Sequence, residues 1–101
     1  MVEIFQSNEF SFPVEILNSD KTGKDLSGFT VKAAIEFEGK LFATKTCDVE
    51  SIGLISIPLT PLDTADLGIY NVEIKLEKAG YSESWGTFSY RIVRSIFLIA
   101  P

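Results

Sequence analysis

The chain has 101 residues, 46% of them hydrophobic and 12% aromatic, with eight Phe. That suits one globular domain, because a chain of about 100 to 150 residues buries roughly two thirds of its unfolded surface around a single core. The formal net charge of -5, from 14 acidic and 9 basic residues with no His, argues against tight phosphate-backbone binding and removes the usual neutral-pH general base.

Period-2 alternation dominates from the first strand onward. The opening "MVEIFQSNEF" carries Glu3 where a secretory leader needs a basic segment, and no long apolar run follows, so no leader is expected. In "EFSFPVEIL", Phe10, Phe12, Val14 and Ile16 alternate with Ser11, Pro13, Glu15 and Leu17. Pro13 has no N–H, which predicts a sheet edge or a break. A polar turn segment, "NSDKTGKDLSG", leads into "FTVKAAIEF", with Phe29, Val31, Ala33, Ile35 and Phe37 on one face. "EGK" makes a short hairpin into "LFATKTCDV", read as one strand containing Cys47.

After the turn "ESIG", the strand "LISIPL" sets Ile55, Ile57 and Leu59 on one side. "TPLDTADLG" reads as a long loop or a single helical turn capped by Asp63 or Thr64. "IYNVEIKLE" then turns Tyr70, Val72, Ile74 and Leu76 inward, and the hairpin "KAGYSES" leads to "WGTFSYRIVRSIFLI". Six to eight strands joined by turn chemistry, with no substantial helix, predict an all-β fold: a single antiparallel β-sandwich, immunoglobulin-like in architecture but without the disulfide of antibody domains.

No catalytic constellation stands out. Ser and Thr are plentiful, but without His a nucleophile would need Lys or an amine as its base. A chain this small has little room for the cleft that a carboxylate pair requires. Asp20 and Asp25, Asp48 and Glu50, and Asp63 and Asp66 cluster in three loops without the spacing of a calcium loop; loop solvation and Asx turns account for them. Cys47 reads as a buried structural thiol. Trp85, Tyr81, Tyr90 and Phe88 could stack on sugar rings, but aromatics of this kind more often anchor a core or an interface. Neither a metal nor a cofactor is expected.

One pattern is more specific: "TGKDLSGFTVKAAIEFEG", then "TADLGIYNVEIKLEKAG", then "GTFSYRIV". It resembles the small β-sandwich domains of tailed bacteriophages, in particular the N-terminal domain of the phage baseplate upper protein and related immunoglobulin-like head and tail proteins. The matching positions are Gly23, Asp25, Leu26, Ser27 and Gly28, then Gly68 and Tyr70, then Gly86 and Phe88. The resemblance implies a virion structural module without an active site, made in the bacterial host cytoplasm, whose partners are other virion proteins and copies of itself. In the baseplate protein further domains follow, whereas this chain stops at Pro101, so capsid decoration or cement is the first expectation and tail, baseplate or head-tail attachment the alternative. A carbohydrate- or ligand-binding recognition module is the rival from another class.

The residues themselves give the matching positions a role in the fold. Gly28 and Gly68 enter strands at points where positive φ suits glycine, Leu26 is an apolar plug in a polar loop, and the Tyr70 hydroxyl is placed to bond across its loop. "SIFLIAP" is surplus to the 1–94 domain: four large apolar residues fall far short of the roughly 20 needed to span a bilayer. Residues 95–101 are therefore expected to be an apolar arm or strand extension, covered by a neighbouring subunit. Ile4, Phe5, Ile96, Phe97, Leu98 and Ile99 are the expected interface residues.

Overall fold

In the computed structural model, which describes residues 1–98, eight strands follow one another: β1 (Val2–Phe5), β2 (Phe10–Glu15), β3 (Thr30–Phe37), β4 (Lys40–Thr46), β5 (Asp48–Ser51), β6 (Leu54–Leu59), β7 (Gly68–Lys78) and β8 (Tyr81–Val93). A 3-10 turn, Ile96–Leu98, follows β8. The strands form a five-stranded sheet in the order β1-β8-β7-β3-β4 and a three-stranded sheet in the order β2-β6-β5.

Alternation produces this arrangement directly. β3 and β7 pair antiparallel with Ile35 opposite Val72 and Ala33 opposite Ile74. Val31, Ala33, Ile35, Tyr70, Val72, Ile74 and Leu76 are all buried on the same side. Ile55, Ile57 and Leu59 face them from β6, and the Phe12 ring of β2 meets Phe88 at 5.1 Å and Tyr90 at 5.6 Å between ring centroids. One apolar core lies between the two sheets, compatible with a β-sandwich. β2 is an edge strand, which suits Pro13. Pro58 in β6 lies beyond Ser56, the last residue that β5 pairs, so its missing N–H breaks no ladder on that side.

Three expectations change. The sandwich is not wholly antiparallel, since β1 pairs parallel to β8, with Val2 opposite Tyr90 and Phe5 opposite Val93. "LFATKTCDV" is two strands: β4 ends in the larger sheet at Thr46, β5 begins in the smaller at Asp48, and Cys47 is the buried crossing point. The described part of residues 95–101 is not a strand extension, since Arg94 and Ser95 have left the sheet and Ile96–Leu98 form a 3-10 turn; residues 99–101 lie outside the described residues.

The turn motif behaves as read. Gly28 and Gly68 both adopt positive φ, 79° and 139°. A side chain at Gly68 would also place its Cβ 2.8 Å from the Phe37 ring. At Gly23 the backbone passes so close to Ile52 that a Cβ would lie 2.8 Å from its carbonyl oxygen. Asp25 accepts a hydrogen bond from the Ser27 N–H at 2.9 Å, closing an Asx turn that holds Leu26 inward and buried.

Candidate interaction surfaces

At one end of the molecule the loop between β6 and β7 is tied into both sheets. Tyr70 is fully buried, stacks on Phe37 at 4.3 Å and on Tyr90 at 5.2 Å, and donates its hydroxyl to the Asp66 carbonyl at 2.8 Å. Burial, with Asp66 and Glu38 nearby, pushes its phenol up to about 12. Asp63 accepts from Lys45 Nζ at 2.6 Å, from the Thr60 N–H at 2.7 Å and from Thr60 Oγ1 at 2.9 Å. Desolvation raises the pKa of this carboxyl, and the bonds from Lys45 and Thr60 more than offset it, so it lies below the usual value. Asp63 caps the turn at residues 61–64 together with Thr60, its carboxylate accepting from the Thr60 N–H while its own N–H is directed at Thr60 Oγ1, whereas Thr64 Oγ1 instead donates to the Asn8 carbonyl at 2.8 Å.

The other acidic loops are engaged locally. Asp20 accepts from the Thr22 N–H and Oγ1, which lower its pKa, and Asp25 is lowered in the same way by Ser27. Glu50 accepts from Ser56 Oγ at 2.7 Å. Among the described residues no group of three or more His, Cys, Asp or Glu side chains is gathered as metal ligands. Burial first, and then Asp48, raise the Cys47 thiol to about 11, so it is a poor nucleophile at neutral pH.

On the outer face of the larger sheet, small Ala34 leaves a hollow of about 300 Å³ between Glu36, Leu41, Asn71, Glu73 and Thr87. Three of its polar groups are already engaged: Asn71 Nδ2 donates to Glu36 at 3.1 Å, and from outside the hollow Ser89 Oγ donates to Asn71 at 2.6 Å and Ser84 Oγ to Glu73 at 2.8 Å.

The expected interface residues divide. Phe5, Ile96 and Phe97 line one groove of about 460 Å³ with Asn8, Arg94 and Ser95, and are 57%, 77% and 94% exposed. Ile4 does not belong with them. It is 4% exposed, because parallel pairing with Ile92 turns it into the core. Ile99 and the side chain of Leu98 lie outside the described residues.

A second groove, of about 630 Å³, opens between the edges of β8 and β2 and is lined by Met1, Val2, Phe12, Val14, Trp85 and Phe88 with Thr87 and Ser89. The alternation of β2 and β8 was legible, but their approach as neighbouring edges was not. Of the aromatics weighed as sugar-stacking residues, Tyr90 is buried, Phe88 is half-buried against Phe12, and Tyr81 packs edge-on against Phe29 and donates its hydroxyl to Glu83. Among the described residues no helix is long and apolar enough to cross a membrane.

No protein-family model matches the chain, and no curated protein is significantly similar to it in sequence. Its surfaces must be interpreted from their own chemistry.

Proposed function

We propose that this chain is an immunoglobulin-like virion structural protein that works through protein–protein contacts, with capsid decoration first and attachment in the tail, baseplate or head-tail region as the alternative. The immunoglobulin-like part of the reading is supported by strand order: β2, β6 and β5 take the positions of strands B, E and D, and β3, β4, β7 and β8 those of C, C′, F and G. Tyr70 near the start of β7, bonded to the backbone four residues upstream, has the form of a tyrosine corner, with Val72 where antibody domains carry their second Cys. The virion part rests on the resemblance carried by Gly23–Gly28, Gly68, Tyr70, Gly86 and Phe88.

The observation that carries the assembly role is the cluster of Phe5, Ile96 and Phe97, three large apolar side chains exposed around one groove. Apolar groups grouped at the surface mark a contact more than a solvated face, whereas scattered ones mean little. The glycan-binding rival keeps two of its four aromatics, Trp85 in the open groove and the exposed Tyr81, because Tyr90 and Phe88 pack within the protein.

The deciding experiment mixes the purified protein with empty phage heads and, separately, with tails. Stoichiometric binding to heads is expected. Binding to tails alone would move the protein to the attachment alternative, and binding to neither particle together with binding on a glycan array would overturn the proposal.

A further inference from the structure

We infer that the open rim between β8 and β2 is a strand-acceptor groove whose occupant is the Ser95–Ile99 segment of a second copy of this chain, added parallel to β8. The inference rests on the assembly reading and names its partner.

β7 pairs with β8 from Tyr81 to Ile92, but on the other side β1 covers β8 only from Tyr90 to Val93. Trp85 is the extra residue at a bulge, since Ile74 faces Gly86 and Lys75 faces Ser84. Gly86 to Ser89 are thus a regular stretch with no strand on their outer side among the described residues, four residues or about 13 Å long at ~3.3 Å per residue. The other edges are guarded in the ways that prevent strand addition. β1 is four residues long and carries Glu3, β2 has Pro13 and Glu15, β4 has Lys40 and the inward-pointing Lys45, and β5 is short with Asp48 and Glu50. From Ser84 to Ser89, β8 has neither a charge nor a proline. Phe12, Val14, Trp85 and Phe88 make the groove beneath this edge apolar.

The same chain carries a matching segment. Ser95 to Ile99 has no charge, Ile96 and Phe97 are exposed, and the 3-10 turn at Ile96–Leu98 opens into extended backbone on docking. The apolar run Ile96–Ile99 is four residues long, as is the gap. β1 already shows the direction in which a strand adds to this edge, parallel to β8. An occupant following that direction enters at the Trp85 bulge and runs toward Met1. Arg94, two residues ahead of the run, then arrives beside the part of β8 that precedes the Trp85 bulge, where Glu83 carries the opposite charge.

The donor cannot come from the same molecule. To run parallel from Gly86 it would first travel back along β8 from Val93, about 23 Å at ~3.3 Å per residue, with only Arg94 and Ser95 to span it. A second copy meets the requirement. The contact is then heterologous, with donor and acceptor on different surfaces, and it builds a ring or an open chain of subunits.

The test uses the full-length protein, and the single Trp of the sequence, Trp85, reports on the groove itself. Wild type is expected to self-associate with rising concentration in sedimentation velocity while Trp85 emission moves to the blue. Phe97→Ser removes the donor and Thr87→Lys guards the acceptor edge, and each is expected to weaken self-association by at least about tenfold. Each variant keeps the half that the other lacks, so their mixture should form one-to-one dimers and nothing larger. Wild-type self-association with an inert mixture, or with unmoved Trp85 emission, would overturn the inference. So would a wild type that stays monomeric, yet if that monomer still bound phage heads the assembly reading would stand.

Discussion

The Tyr70 end and the β8–β2 rim are built from similar materials, aromatic rings carried on strands, and treat them in opposite ways. At the Tyr70 end a fully buried ring lies between Phe37 and Tyr90, its hydroxyl is bonded to Asp66, and Lys45, Asp63 and Thr60 join β4 to the loop after β6. At the rim, Trp85 and Phe88 are only half-buried, and among the described residues the backbone from Gly86 to Ser89 has no neighbouring strand on its outer side. Buried polar groups must find partners inside the molecule, while exposed ones are satisfied by water until another chain replaces it. The first region holds the fold together; the second leaves room for contact with another molecule.

The largest effect should come from the packed end. Tyr70→Ala removes a buried ring in contact with two others and is expected to cost about 3–5 kcal/mol in urea unfolding, comparable to other large-to-small core substitutions. A loss below about 1 kcal/mol would mean that this end is looser than its stacking implies.

Asp63→Asn leaves Lys45 without its charge partner in a half-buried setting and should cost about 1–3 kcal/mol near neutral pH. The folded carboxyl titrates below its unfolded value, so its contribution is present above about pH 3.9 and is lost as the pH falls through the lower folded value. The gap between wild type and variant should therefore narrow on acidification below about pH 4, followed by thermal unfolding across the pH range. A gap independent of pH would remove the charge from the explanation.

A finer comparison sets two stacked tyrosines against each other. Tyr70→Phe loses the bond to Asp66 and should cost about 0.5–1.5 kcal/mol. The Tyr90 hydroxyl is buried with no hydrogen-bond partner among the described residues, so Tyr90→Phe should be neutral or stabilising. Equal costs for the two would show that the Tyr70 hydroxyl bond to Asp66 adds no measurable stability.

At the rim, Thr87→Lys and Phe97→Ser should leave monomer stability within about 0.5 kcal/mol of wild type, measured at concentrations low enough to prevent association. A large loss from either would make it part of the core and erase the contrast between the two regions.

Much of the packed region was legible in the sequence. The spacing of Tyr70, Val72, Ile74 and Leu76 named an inward face, Leu26 stood out as an apolar residue in a polar loop, and Tyr70 lay close to a loop rich in backbone acceptors. The candidate contact surface was legible only in part. Phe5, Ile96 and Phe97 are exposed together, but Ile4 alternates with polar and aromatic neighbours in the same run and its burial depends on pairing with Ile92. Nothing in "LFATKTCDV" marks Cys47 as the step between sheets, because both halves keep extended backbone. Pro13 pointed to an edge, and β2 is one, but Glu3, Lys45 and Glu50 guard edges only once β1, β4 and β5 are known to end their sheets.

The sequence by itself determined the all-β character, the inward faces and the turns, because alternation, glycine and Asx chemistry act over a few neighbouring residues. Tertiary structure alone decided the parallel placement of β1, the division of β4 from β5, the burial of Ile4 and the open rim beside Trp85. Those depend on which strands meet across long loops, and the cost of closing a loop changes too slowly with its length for local sequence to reveal the pairing.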